Sequence, residues 1–331
     1  MQWQPSGGVL FDYDTGVISG AILFITREFA LPPTLEEIAT SSVLVGAILG
    51  AIAGGLLPIG SGGASRSSLR RSSSLQAPGT KRLFVRPSRV VYVKERPGLR
   101  YAAASDIGGR QQNEDAFFAD EAAGYSVFAV ADGLGGHARG DVASKMAIRA
   151  LEETARECLP GLKPARVLEL AFNRANARIY TYNQENRLNA GTTLSAAIVD
   201  GSGGCWIGTV GDSRTYVIRS SSIWHTRDQS YVQGLVDAGV LSPVEAMLHP
   251  KKNILTGALG LSAGVQVDLD AVDAAGAVLV LSSDGLHDCV PADAIREIVL
   301  ADEPDAACRR LIDAAKDAGS TDNITVIVAR G

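Results

Sequence analysis

Cysteine and histidine are scarce in this chain, with four of each in 331 residues. Cys158, Cys205, Cys289 and Cys308 are scattered, without a Cys-x-x-Cys pair or a histidine at ligand spacing. That excludes a zinc site or a disulfide framework read from spacing, and leaves reduced core thiols of a cytosolic body. Beyond residue 60 there is no uncharged apolar run of the ~20 residues needed to cross a bilayer. Positive charge is also short there: residues 101–331 hold 20 Lys/Arg against 30 Asp/Glu, a net of −10. An acidic body of that size argues against a nucleic-acid partner.

The first hundred residues have the opposite balance, 11 Lys/Arg against 6 Asp/Glu. Residues 41–60, SSVLVGAILGAIAGGLLPIG, form an uncharged apolar run of spanning length, rich in small residues that suit helix packing in a membrane. Residues 8–25 are nearly as apolar but carry Asp12 and Asp14, so a soluble core helix is the alternative there. Residues 27–40 are net acidic, whereas basic residues from Arg66 to Arg100 follow the second run. By the positive-inside bias, a hairpin made of both runs leaves the C-terminal body in the cytoplasm. A cleaved signal peptide is disfavoured because no basic segment precedes the first run. The expected organisation is a transmembrane hairpin at 1–60, a basic Ser/Gly-rich linker at 61–97, and one folded domain at 98–331. The linker reads as solvated, with anionic lipid contact or a kinase target at Arg70-Arg71-Ser72-Ser73 as alternatives.

Residues 8–20 resemble the first helix of a sugar porter of the major facilitator type, and 41–55 its second. The resemblance stops there. Asp12 replaces that family's glycine, its basic loop after the second helix is absent, and no further spanning runs follow, so transport is disfavoured.

In the body, residues 125–141, YSVFAVADGLGGHARGD, organise the rest. The apolar, Val- and Phe-containing stretch 125–131 reads as a buried strand, the glycines turn the chain, and 138–158 has helical spacing with Val142, Met146, Ile148, Ala150 and Leu151 on one side. A carboxylate at a strand end followed by glycine lets a cation reach both Asp132 and the Gly133 carbonyl, an oxygen pair suited to Mg²⁺ or Mn²⁺. Alone, Asp-Gly is equally a plain turn. Further acids stand beside strand-like runs: Glu114 and Asp115 after Gly108-Gly109-Arg110; Asp212 in an expected hairpin over 204–219; Asp284 after 277–282; and Asp322-Asn323 before a terminal strand. Helical spacing is expected over 162–187 and 292–316, and a proline-headed capping box at Ser242-Pro243-Val244-Glu245. Trp206 and Trp224 read as packing residues. Hard oxygen ligands from separate strands suit two ions ~3.5–4 Å apart sharing a bridging hydroxide. A fixed guanidinium adds a phosphate clamp. Together they point to phosphoester hydrolysis.

Six motifs, in order, resemble the metal-dependent type 2C serine/threonine protein phosphatases in their bacterial form. They are Arg110 with Asn113-Glu114-Asp115, Asp132-Gly133 through His137, Gly191-Thr192-Thr193, Gly211-Asp212-Ser213-Arg214, Ser283-Asp284-Gly285 and Asp322-Asn323. The resemblance spans about residues 100–331 and implies an α+β, four-layer α-β-β-α sandwich: two packed antiparallel sheets with helices outside. It implies that Asp132 bridges two Mn²⁺ or Mg²⁺ ions, with the Gly133 carbonyl on one and Asp284 and Asp322 on the other. Glu114 and Asp115 would hold metal-bound water, Arg110 would grip the phosphate, and Asp212 would support a third, looser ion. Residues 230–260 resemble the family's variable flap. Leu134 stands where animal members carry a histidine proposed as general acid, so protonation of the leaving group falls to water, with His137 a loop-positioning residue. The implied partners are phosphorylated proteins and a cognate Ser/Thr kinase, with a monomeric catalytic domain and membrane contact through residues 9–60. A catalytically silent phosphoprotein-binding regulatory module at the membrane is the competing reading, and the complete acid set argues against it.

Overall fold

The computed structural model describes residues 89–96, 98–135 and 139–331. These lie in one compact unit, Lys81–Gly331. The expected hairpin, most of the linker and His137 fall outside the described residues. Among the described residues no helix is long and apolar enough to cross a membrane.

Two antiparallel sheets form the body. The first has the order β1-β2-β13-β12-β9-β10, built from Arg89–Arg96, Leu99–Asp106, Ile324–Arg330, Val278–Ser282, Arg214–Ile218 and Ile223–His225. The second runs β11-β8-β7-β4-β3, from Asp268–Asp273, Gly204–Val210, Leu194–Val199, Tyr125–Ala131 and Ala116–Ala122. A two-stranded ribbon, β5 (Gly133–Leu134) with β6 (Gly191–Thr192), stands beside the acid-bearing end of β4.

Strand alternation separates the side chains into three apolar layers. Tyr101, Ala103, Phe128, Val130, Ile207, Leu279, Leu281 and Ile327 pack between the sheets. Their neighbours in β2, β12 and β13, including Ala102, Ala104, Val280, Val326 and Val328, point outward to Ile295, Leu311 and Ile312. Those three side chains come from α6 (Ala292–Ala301) and α7 (Pro304–Asp317). On the other side Val127, Ala129, Ala196 and Ile198 meet Leu151, Leu168 and Phe172 of α1 (Gly140–Cys158) and α2 (Pro164–Asn186). Burial on both faces explains why central strands such as VLVLS and LSAAIV are continuously apolar rather than alternating.

Several expectations change on contact with the structure. The segment 204–219 is not a hairpin: β8 pairs with β7 and β11, β9 pairs with β12 and β10, and residues 211–213 cross between the sheets. Gly211 makes that crossing at φ +96°, and a Cβ there would meet Thr193 Cγ2 at 2.6 Å. The helical run 292–316 is broken at Pro304, whose ring excludes helical backbone from Glu303, found at φ −66°, ψ 153°. In α1 the buried stripe is Ala143, Ala147, Ile148, Ala150 and Leu151, whereas Val142 and Met146 are only half-buried. Trp206 packs on the core, but Trp224 is exposed on the edge strand β10.

The segment after the crossing carries two short helices, α3 (Tyr231–Asp237) and α4 (Pro243–Leu248), and α4 has the expected capping box. Ser242 Oγ accepts from the Glu245 amide at 3.3 Å while Glu245 accepts from the Ser242 amide at 2.8 Å.

Phe172 is fully buried, and its ring lies where a Cβ on Gly208 of β8 would meet Cε2 at 3.0 Å. Phe172→Ala should therefore cost about 3–5 kcal/mol. Urea unfolding should show a lower midpoint at unchanged m-value; a midpoint equal to the parent's would mean that α2 does not seal this layer.

Candidate active site

The acids collect at one end of the sandwich, where strand ends from both sheets open into a cavity of about 630 Å³. Asp132, Asp212, Asp284, Asp322 and Glu114 line it, with Gly133, Arg110, Arg139, Asn253 and Asn323. Of the eight residues singled out from sequence, seven lie on this wall. Asp115 stands behind it, buried.

Uncharged neighbours fix most of the chain segments that carry these acids. Asp132 directly follows β4; its amide donates to Thr193 Oγ1 at 2.9 Å, and its carbonyl accepts from the Thr193 amide at 2.9 Å and from Thr192 Oγ1 at 2.8 Å. Thr193 Oγ1 also lies 2.6 Å from Ser213 Oγ, so the end of β4 is tied to the crossing that carries Asp212. Gly133 exists because backbone crowds it: a Cβ would meet the Gly140 oxygen at 2.3 Å and the Glu114 oxygen at 2.7 Å. Asp284 opens α5 (Asp284–His287) directly after Ser283. Ser283 Oγ donates to Asp115 Oδ2 at 2.8 Å and accepts from the Thr325 amide at 3.0 Å, joining three chain segments. Asn323 Oδ1 accepts from the Glu114 amide at 2.8 Å, and its Nδ2 donates to the carbonyls of Ile107 and Gln112 at 2.9 and 3.0 Å. Gly108 presses against Asp322, where a Cβ would meet the carbonyl oxygen at 1.8 Å. This approach brings Arg110 to Asp322, with Nη2 donating to Oδ2 at 2.6 Å.

Gathering carboxylates in a desolvated place raises their proton affinity. Asp132 is held well above the usual range by burial and by the charges of Asp115, Asp284 and Asp212; the Asp284 carboxyl is also within hydrogen-bonding reach of it. Asp212 is likewise held well above it by burial, then by Asp284, Asp228 and Asp288. Burial, with Asp322 and Asp288, pushes Asp284 up to about 6. Burial pushes Asp115 up to about 7 despite the hydroxyls of Thr325 and Ser283. Glu114 is raised by burial and by Asp141, against Arg110. Arg110 is raised chiefly through Asp322.

Among the described residues no three acidic, His or Cys side chains close around a single point as in a compact metal cage. The acids instead share one open wall. The donor set nonetheless fits hard divalent cations. It is all oxygen, it is too crowded with like charge to stay ionised alone, and Asp115 Oδ1 and Asp284 Oδ1 are buried without a hydrogen-bond partner. His287 is not part of this set; it is buried beside Ser282 Oγ at 3.0 Å, and burial holds it well below its ordinary value.

Sequence reasoning missed Thr192, Thr193, Ser213, Ser283 and Asn323 as positioning residues; the last three adjoin an acid, whereas Thr192 and Thr193 reach Asp132 across about 60 residues of chain. It also missed Arg139 and Asn253 on the wall. For Ser213, Ser283 and Asn323 the available signal was an uncharged hydrogen-bonding residue next to Asp212, Asp284 and Asp322.

The sequence profile of protein phosphatase 2C matches residues 104–310. The serine/threonine protein phosphatase PstP of Mycobacterium tuberculosis is 38% identical over 236 residues, covering 70% of this chain and 45% of that protein. This chain thus spans less than half the length of that relative. The serine/threonine phosphatase stp of Listeria monocytogenes is 37% identical over 235 residues, covering 67% of this chain and 88% of that protein. Among solved structures, the M. tuberculosis phosphatase PstP/Ppp superposes with a TM-score of 0.64 at 37% identity, over 70% of this chain and 98% of its own. The PstP catalytic domain in complex with two manganese ions gives 0.61 at 34% identity, over 73% and 99%.

The raised carboxyls set a sign for pH dependence in metal-free protein. Unfolded aspartates release their protons near pH ~4. The native state therefore binds more protons than the unfolded one above that pH, and stability is lost as pH rises through the 6–7 range of Asp284 and Asp115. The melting temperature in EDTA should fall from pH 5 to pH 8, and Asp284→Asn should flatten the fall. Mn²⁺ should raise it more at pH 8 than at pH 5. A metal-free melting temperature that climbs over this interval would contradict the assignment.

Proposed function

Because this chain belongs to the protein phosphatase 2C family, we propose that it hydrolyses phosphoserine and phosphothreonine in proteins, using two Mn²⁺ or Mg²⁺ ions at the acid-lined cavity. The observation that best supports this reading is one wall carrying Asp132, Asp212, Asp284, Asp322 and Glu114 together with Arg110. Five carboxyl groups against two arginines cannot all ionise together, and those that do repel a phosphate dianion. Two divalent cations reverse that balance.

Asp132, the Gly133 carbonyl, Asp284 and Asp322 would hold the two ions, and Asp212 would support a third, looser one. When bound, the ions supply Lewis-acid polarisation of the phosphoryl oxygens and a lowered water pKa. Arg110 binds the substrate phosphate, since its contact with Asp322 engages one nitrogen and leaves the rest of the guanidinium fork for phosphoryl oxygens. Glu114 orients water at the cavity wall by accepting its hydrogen bonds. Asp115 acts from behind, holding Ser283 and with it the start of α5 that carries Asp284. Leu134 offers no proton at the position of the animal histidine, so the leaving Ser or Thr oxygen is protonated from water.

Phosphorylated proteins are the substrates in this reading, and a cognate Ser/Thr kinase makes them. Residues 9–60 would tether the domain to the cytoplasmic face of a membrane, on the strength of the uncharged run at 41–60. Alkaline carbonate washing of membranes from cells making the full chain should leave it in the pellet; complete release would remove the tether.

The activity is tested with a phosphothreonine peptide. Phosphate release should require Mn²⁺ or Mg²⁺ and stop in EDTA. Asp132→Asn and Asp284→Asn should each lower kcat by about 10³-fold or more, while Arg110→Ala should cost about 10- to 100-fold in kcat/KM. Full turnover by Asp132→Asn would rule the reading out, and a folded, Mn²⁺-binding but inert protein would favour the regulatory module.

A further inference from the structure

Two cations line the catalytic cavity, and they are in different situations. Arg110 is paired with Asp322. Arg139 is exposed and, among the described residues, its side chain makes no hydrogen bond or ion pair. No carboxylate of the acid wall forms an ion pair with it, so its charge is not neutralised there.

The main chain beneath this guanidinium is fixed. Arg139 is the N-cap of α1, and its carbonyl accepts from the amides of Val142 and Ala143 at 3.0 and 3.3 Å. The next residue, Gly140, is wedged against the site: a Cβ there would meet the Gly133 oxygen at 2.8 Å and Glu114 Oε2 at 2.9 Å. Arg139 adopts φ 73°, ψ 46°, a left-handed conformation in which a glycine would sit without strain. The chain thus carries a long cationic side chain at a backbone position that disfavours one, one residue from the packing that shapes Gly133.

We propose that Arg139 selects substrates by binding an anionic group next to the phosphorylated Ser or Thr, either a carboxylate or a second phosphate. The planar guanidinium matches both oxyanions in bidentate fashion. Arg110, the cation joined to the acid wall, serves the reacting phosphate, which leaves the unpaired guanidinium of Arg139 for a flanking residue. The assignment rests on the phosphatase reading above.

The test uses the full chain with Mn²⁺ and phosphothreonine peptides that carry Glu, Ala or Lys beside the phosphorylated residue, plus a doubly phosphorylated peptide. Wild type should favour the anionic peptides over the Ala peptide by about five- to tenfold in kcat/KM, mainly through KM, and added salt should shrink the ratio. The ratio should collapse in Arg139→Gln and partly return in Arg139→Lys. A preference for the Glu peptide assigns a carboxylate; one confined to the doubly phosphorylated peptide assigns a phosphate. Equal handling of all peptides by wild type, or an unchanged ratio in Arg139→Gln, overturns the proposal. A uniform loss on every peptide overturns it in favour of a second clamp on the reacting phosphate. If wild type hydrolyses none of them, the phosphatase reading falls and this inference falls with it.

Discussion

Mutual repulsion among buried carboxylates is the constraint on which the architecture of this domain turns. Asp132, Asp212, Asp284 and Asp115 each hold their protons above the ordinary aspartate range because they share a desolvated place and one another's charge. The fold spreads the load, taking Asp132 from the end of β4, Asp212 from the crossing between sheets, Asp284 from the start of α5 and Asp322 from the approach to β13. The three apolar layers behind them supply the rigidity, and the site stands at one end of the sandwich they fill.

Neutral groups hold the acids in place. Thr193 ties Asp132 to Ser213, Ser283 ties Asp115 to the Thr325 amide, and Asn323 ties Glu114 to the loop at residues 107–112. A charged residue in these roles would shift the acids further or draw them into ion pairs. Hydroxyl and amide groups position them and leave their oxygens open to a cation. Gly133 and Gly140 act by absence, since their bare backbones approach where a Cβ on either would collide.

Much of this was legible in the sequence because acids at strand ends announce themselves: an apolar run that stops at Asp or Asn marks both the strand and its chemical end. The strands ending at Ala131 and Ser282 were readable that way. Pairing was not. Residues 204–219 have every local mark of a hairpin, yet their two strands belong to different sheets. Local sequence encodes a bend at Gly211 but not which neighbour each strand finds beyond it. The break at Pro304 was present in the residue itself and lost in a helical pattern that continues on both sides. Arg139 left no motif, because its significance lies in the wall it reaches and in the partner it lacks there.

Arg110 and Asp322 link the acid wall to phosphate recognition. The guanidinium donates to Asp322 Oδ2 at 2.6 Å, an exposed pair whose own contribution to stability is small. Asp322 has two carboxylate oxygens, and Oδ1 accepts from the Asn323 amide at 2.8 Å, so one acid joins the guanidinium to the chain segment that enters β13. Arg139 has no such counterpart and keeps its charge available whether or not the wall is neutralised. The two arginines therefore differ in anchoring, Arg110 tied to an acid of the wall and Arg139 free of one.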